Sequence, residues 1–237
     1  MRVDNRKLDE IRKVKIIPHF TPGSVLIELG STKVLCSATW EARVPDFLLN
    51  KGRGWLTAEY GMLPSSTLER KPREGRWGRP DGRIFEIQRL VGRSLRAVVD
   101  MELLGEKTIW IDCDVLQADG GTRSAAITGS FVALYLAFKN MQEQQLLLKN
   151  PIRNYLAAMS LGRVNGELML DLSYQEDSKA EVDLNIVMTD KEKIIEIQGT
   201  AELKSFSQDE LNEMINLAKN GIRELIEIQK QVINKRY

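Results

Sequence analysis

Between Thr108 and Phe138 the spacing of apolar residues changes once, and the change falls on Gly120 and Gly121. Before the glycines, Ile109, Ile111, Cys113 and Val115 alternate with Trp110, Asp112 and Asp114, the period of a strand; its two aspartates share a side, about 7 Å apart. After the glycines Ile127, Phe131, Leu134, Tyr135 and Phe138 recur at helical spacing. A strand that runs through two glycines into a helix admits two readings, an ordinary turn between core elements or a place where an anion is held. Glycine accepts backbone angles that let successive N–H groups converge, and the first turn of a helix adds unpaired N–H groups and a positive dipole end. Thr122 and Ser124 add hydroxyls there, and Arg123 a permanent positive charge. The chain contains no G-x-x-x-x-G-K-[ST] sequence, so this turn is not a P-loop.

The rest of the pattern is that of an α+β protein. SVLIEL and KVLCSATW, joined by GST, read as a β-hairpin beginning near Ser24. From Asp46 to Arg79 periodicity fails, apart from WLTAEYGML; irregular stretches of that length serve a function or stay disordered. Residues 84–104 predict one helix, with Ile84, Ile87, Leu90, Val91, Leu95, Val98 and Met101 as its apolar stripe and Gly105 closing it. Glu86, Arg89, Arg93 and Arg96 share a second face of that helix. YLAAMSLGRV and ELMLDLSY form a second hairpin about Asn165-Gly166, a pair suited to positive φ angles. The acidic segment YQEDSKAEVD then leads into a strand whose Val182, Leu184, Ile186 and Met188 face one way and Asp183 and Asn185 the other, with IIEIQG as its partner. A capping box, Ser207-Gln208-Asp209-Glu210, opens a last helix running to about Lys235. No linker interrupts the sequence, which reads as a single domain over residues 1–237 with mixed or antiparallel sheets and packed helices. Two strand-rich sections each end in a helix, which suggests an internal βαβα duplication.

Charge narrows the function. The net charge of +1 hides a basic segment from Lys51 to Arg96, where eleven basic side chains, nine of them arginine, face five acidic ones. Arginine makes forked contacts with phosphate, although a solvated face is the plainer reading of any one cluster. The charged N-terminus and a longest apolar run of eight residues, FVALYLAF, predict a cytoplasmic protein without membrane contact. Cys36 and Cys113 sit in alternating segments and read as reduced packing residues, and a single histidine argues against a zinc site. Asp177 and Asp183 are candidates for acid/base work or Mg2+ binding beside a phosphate, with Asp112, Asp114 and Asp119 as competitors.

GWLTAEYGMLP, GRIFEIQRLVGRSLRAVVD, IWIDCDVLQADGGTRSAAITG, EDSKAEVDLNIVMT and EIQGTAE, in this order along nearly the whole chain, resemble the ribonuclease PH family. The resemblance implies a ribonuclease PH-like fold and a phosphate-dependent 3′ to 5′ exoribonuclease that trims tRNA precursors, and other RNAs, releasing nucleoside diphosphates in a reversible step. It implies that Arg83, Gly121, Thr122 and Arg123, joined by Ser124, hold the co-substrate phosphate, and that Asp177 and Asp183 bind Mg2+ and act in catalysis. It further implies a homo-hexameric ring built as a trimer of dimers. RNA would be gripped by Arg70 and Arg73, with Arg76 and Arg79 beside them. Pro64-Ser65-Ser66 stands where the family has Pro-Arg-Ser, Phe20–Ser24 is shortened, and Trp40 replaces a small residue. Two rivals remain: a non-catalytic RNA-binding ring subunit, and a metabolite kinase, in which the arginine-rich loop would have no role.

Overall fold

A computed structural model describes residues 2, 4–19, 21–73 and 82–235. Five strands form the first sheet: β1 (Val14–Pro18), β2 (Ser24–Leu29), β3 (Thr32–Glu41), β4 (Trp55–Met62) and β5 (Thr108–Gln117), in the order β1-β2-β3-β5-β4. The β2–β3 hairpin forms as expected, with β3 one residue longer at each end, and turns through Gly30 at φ 58°. β4 runs parallel to β5, so the chain between them must cross over, and it does so through α1 (Gly82–Arg96), packed on β4.

The single helix expected over 84–104 is two. The chain leaves helical geometry after Arg96 and re-enters at α2 (Met101–Leu104). Asp100 is the cause: its carboxylate accepts the N–H groups of Glu102 and Leu103 at 3.1 and 3.0 Å. An Asp placed to cap outcompetes an apolar stripe that would carry the helix through it.

The second sheet has the order β7-β6-β8-β9 and is antiparallel throughout, from β6 (Leu156–Val164), β7 (Glu167–Leu170), β8 (Val182–Thr189) and β9 (Ile194–Ala201). Asn165 and Gly166 take φ of 52° and 79°, as the hairpin requires. The segment leading from β7 to β8 holds a further, unexpected element, α4 (Tyr174–Asp177). Ser173 and Glu176 form its capping box, and S-x-x-E was its signal.

Helix α3 (Thr122–Glu143) lies between the two sheets and is buried on nearly every side, more than its expected stripe required. Small residues permit this: a Cβ on Gly129 would sit 2.8 Å from Ile27 and 2.9 Å from Cys36. On its other side the Thr128 hydroxyl accepts from Ala158 N of β6 at 3.1 Å. Phe131, Leu134 and Phe138 are fully buried in the core shared with the first sheet. A second cluster, in which Val182, Leu184, Ile186 and Met188 meet Met214, Ile222 and Leu225, lies between the second sheet and α5 (Gln208–Asn234). The expected capping box of α5 is present, with Ser207 Oγ accepting from Glu210 N at 3.2 Å. Cys36 and Cys113 face each other across β3 and β5 as free thiols, and burial pushes the Cys36 thiol well up.

Candidate phosphate-binding active site

The glycine turn behaves as the strand-to-helix switch requires. Gly120 and Gly121 have φ of 77° and 66°, and Gly121 is the N-cap of α3. A glycine N-cap offers no side-chain oxygen, and the first turn contains no acidic residue, so its N–H groups and dipole end face no anion from this helix. Gly120 cannot be replaced without displacement. A Cβ there would lie 2.5 Å from Leu172 O and 2.8 Å from Tyr174 N, so the turn packs directly on the backbone entering α4.

That contact brings residues some sixty positions apart into one site. Arg83 and Arg123 both act electrostatically on Asp177 and on Asp183. Burial raises the Asp177 carboxyl above its ordinary range. Asp183 is pushed up to about 6, first by burial and then by repulsion from Asp177, against attraction from Arg123 and Arg83. Asn185, two residues along the same face of β8, donates Nδ2 to both Asp183 oxygens at 3.2 and 3.3 Å. Arg123 Nη1 donates to Gln198 of β9 at 3.2 Å, which fixes its reach.

Two predicted donors are oriented by neighbours. The Tyr60 hydroxyl, at the buried end of β4, donates to Thr122 Oγ1 at 2.9 Å, which leaves the Thr122 proton free to point elsewhere. Burial raises the Tyr60 phenol, while Arg83 and Arg123 pull it down. Ser124 is buried with its hydroxyl 3.4 Å from Asn185 Oδ1, so this side chain belongs to the network behind Asp183 and only its backbone is available at the turn. Tyr60, Asn185 and Gln198 did not figure among the expected site residues. Of these only Asn185 carried a local signal, its alternation with Asp183.

Of the competing aspartates, two lie on β5 and one in the turn itself. Asp112 and Asp114 project from β5 on the side opposite Cys113 and Val115; burial and the nearby Glu59 raise Asp112. Asp119 is a structural residue of the turn, with its N–H bonded to Thr32 Oγ1 at 2.9 Å. The arginine face of α1 is mostly spent within the chain. Arg93 pairs with Glu196 of β9, and Arg96 donates to Leu56 O at 2.7 Å and lies over the Trp55 ring. Arg70 and Arg73 are exposed on the loop after β4. The base of that loop is pinned beside the glycine turn by Ala118 N donating to Ser66 O at 2.7 Å. Arg76 and Arg79 lie outside the described residues.

A helix start with two arginines and two carboxylates close enough to influence one another, set between two sheets, is suited to handling phosphate esters. The model of the 3′ exoribonuclease family matches the chain, its domain 1 over residues 10–139 and its domain 2 over residues 154–221. The chain belongs to this family, in which its high-identity relatives are ribonucleases PH. That of Syntrophomonas wolfei is 58% identical over 235 residues, covering 98% of both chains. That of Bacillus pumilus is 55% identical over 237 residues, again with 98% of both chains covered. Among solved structures, a chain of the Archaeoglobus fulgidus exosome with RNA bound to the active site shares the fold, with a TM-score of 0.81 and 24% identity. The match covers 95% of this chain and 91% of that one.

Proposed function

We infer that this protein is a phosphate-dependent 3′ to 5′ exoribonuclease. It removes nucleotides from the 3′ ends of tRNA precursors as nucleoside diphosphates, and the reverse step is nucleotidyl transfer to RNA. The observation that carries the residue assignment is the mutual influence of Arg83, Arg123, Asp177 and Asp183 beside the uncapped start of α3. In this reading inorganic phosphate sits on the N–H groups of the turn from Gly121 to Ser124, with the Thr122 hydroxyl and the guanidinium groups of Arg83 and Arg123 around it. Tyr60 supports this, because its bond to Thr122 Oγ1 frees the Thr122 proton for an anion. A phosphate oxygen attacks the terminal phosphodiester, and holding both partners in line supplies much of the acceleration. Burial raises both carboxyls, Asp183 to about 6, so whichever of Asp177 and Asp183 is not holding a cation is suited to deliver a proton to the departing 3′ oxygen.

Asp177 and Asp183 also fit Mg2+, which is commonly held by one or two carboxylates together with substrate phosphate oxygens. When bound there, Mg2+ would neutralise charge on the transferring group.

RNA binding by Arg70, Arg73, Arg76 and Arg79 is supported by the exposure of the first two on a loop rooted beside the turn. The single-domain reading is supported by α3, which packs on both sheets. A homo-hexamer, built as a trimer of dimers, accords with the exposed Ile17, Phe47, Leu49 and Trp110, side chains that a further interface would cover. The cytoplasm is where such an enzyme would meet tRNA precursors, and among the described residues no helix is long and apolar enough to cross a membrane.

Incubation of the protein with a 3′-tailed RNA and Mg2+, with and without phosphate, tests the reaction. Nucleoside diphosphate released only with phosphate is expected. Nucleoside monophosphate released without phosphate would mean hydrolysis, and no release would favour a binding subunit.

A further inference from the structure

The phosphate turn and the catalytic carboxylates come from different halves of the chain, so something must set their distance. One buried cation bonds the turn and also the chain segment that leads to those carboxylates. Arg12, only 5% exposed, lies just before β1. Its backbone N and Nε donate to Asp171 Oδ2 at 2.7 and 3.0 Å, and Nη2 donates to Oδ1 at 2.7 Å. From the same guanidinium, Nη1 donates to Asp119 O and Nη2 to Gly120 O at 3.3 Å, the two carbonyls that precede the cradle.

Asp171 is fully buried at the end of β7, at a left-handed φ of 54°, six residues before Asp177. The intervening chain is fixed as well. Arg2 bonds Asp171 O at 2.9 Å and pairs with Glu176 at 2.8 Å, and Glu176 is the residue before Asp177. On the other side of the turn the Thr32 hydroxyl donates to Gly120 O at 2.7 Å.

A buried Arg–Asp pair is weak evidence for stability, because desolvation offsets its attraction and an apolar pair can do as well. What an apolar pair cannot do is bond two carbonyls and a carboxylate at once. We propose that Arg12 is a positioning residue for phosphorolysis, a clamp that holds the Gly121–Ser124 cradle in register with the Asp177 segment. The proposal rests on the reading of that turn as the phosphate site.

Arg12→Lys keeps the charge but loses the fork, since one ammonium cannot reach both Asp171 oxygens and the turn. Thr32→Val removes the other bond to Gly120 O, together with the acceptor of the Asp119 N–H, and leaves Arg12 intact, so it loosens the same turn from its other side. Phosphate KM, kcat, RNA Kd and Tm are measured for both, with Arg123→Ala alongside. Arg12→Lys should raise phosphate KM about tenfold or more and lower kcat, with RNA Kd unchanged, because the charged hydrogen bonds it loses run to the turn and to Asp171 and hold the cradle in place. Thr32→Val should shift KM the same way by less. An Arg12→Lys protein with the parent's phosphate KM, its activity reduced only in proportion to the folded fraction, would overturn the clamp. If Arg12→Lys does not fold, Thr32→Val decides: a raised phosphate KM supports the clamp and an unchanged one overturns it. Unchanged phosphate KM in Arg123→Ala would overturn the phosphate site and the clamp together. A raised value there, with Arg12→Lys unaffected, would overturn the clamp alone.

Discussion

Replacing Asp183 with asparagine should make the protein more stable and far less active. Burial and the neighbouring Asp177 raise this carboxyl from 3.8 to about 6. At about 1.4 kcal/mol per unit, ionising it in the folded protein costs about 3 kcal/mol at pH 7 and above. The sign follows from proton counting. Between pH 4 and 6, roughly, the folded state keeps a proton that the unfolded chain has lost, so this group's contribution to stability rises as pH falls through that window. Asparagine carries no charge and avoids the cost. It also offers one acceptor where Asn185 Nδ2 now meets two, at 3.2 and 3.3 Å, a loss of about 1 kcal/mol. The net gain is about 2 kcal/mol, or roughly 4–8 °C in Tm for a chain of this size. Calorimetry without Mg2+ at a series of pH values between 4 and 8 should show the gain at pH 8, its decline below pH 6 and its loss near pH 4. Added Mg2+ should raise the Tm of the parent and not of the variant, and turnover should fall by two powers of ten or more. A variant less stable than the parent at pH 8, or a difference indifferent to pH, would refute the claim that Asp183 is held ionised against its surroundings. Full activity would remove its carboxylate from the chemistry.

Arg70→Ala combined with Arg73→Ala should weaken RNA binding and flatten its dependence on salt, because fewer phosphate contacts release fewer counterions. Equal salt slopes for variant and parent, from binding titrations, would exclude these side chains. Gly120→Ala places a Cβ 2.5 Å from Leu172 O at a φ of 77°, so the turn must move off the backbone entering α4. Strain of this kind costs about 1–3 kcal/mol. Phosphate-dependent turnover should fall more than tenfold while RNA is still retained, and parental kinetics would show that the packing of the turn on α4 is irrelevant.

What could be read in the sequence was local. The β2–β3 and β6–β7 hairpins and the start of α5 followed from alternation, from Asn165-Gly166 and from a capping box, each a signal held within a few residues. The strand-to-helix turn was legible for the same reason, as a period change at two glycines. Where one local signal opposed another, the reading failed, as at Asp100, where a capping carboxylate interrupts the stripe of Leu95, Val98 and Met101. Contacts across the fold left no trace in spacing. Nothing near Arg12 announces Asp171, 159 positions away, and nothing in WLTAEYGML announces that Tyr60 will meet Thr122. The arginine-rich face of α1 promised more than it holds, because Arg93 and Arg96 are consumed by Glu196 and by the carbonyl and ring of β4.

Gly121 at the head of α3 has a consequence for how the enzyme and its co-substrate depend on each other. Ser, Thr, Asp or Asn in that place would close the helix with its own oxygen and occupy the N–H groups that phosphate needs. With glycine the helix begins unfinished, and in the proposed reading phosphate supplies its missing end. Bound to the folded chain in this way, phosphate at a hundred times its Kd would stabilise the fold by about 2.7 kcal/mol. A cell's phosphate supply would then govern how long the enzyme lasts as well as how fast it works.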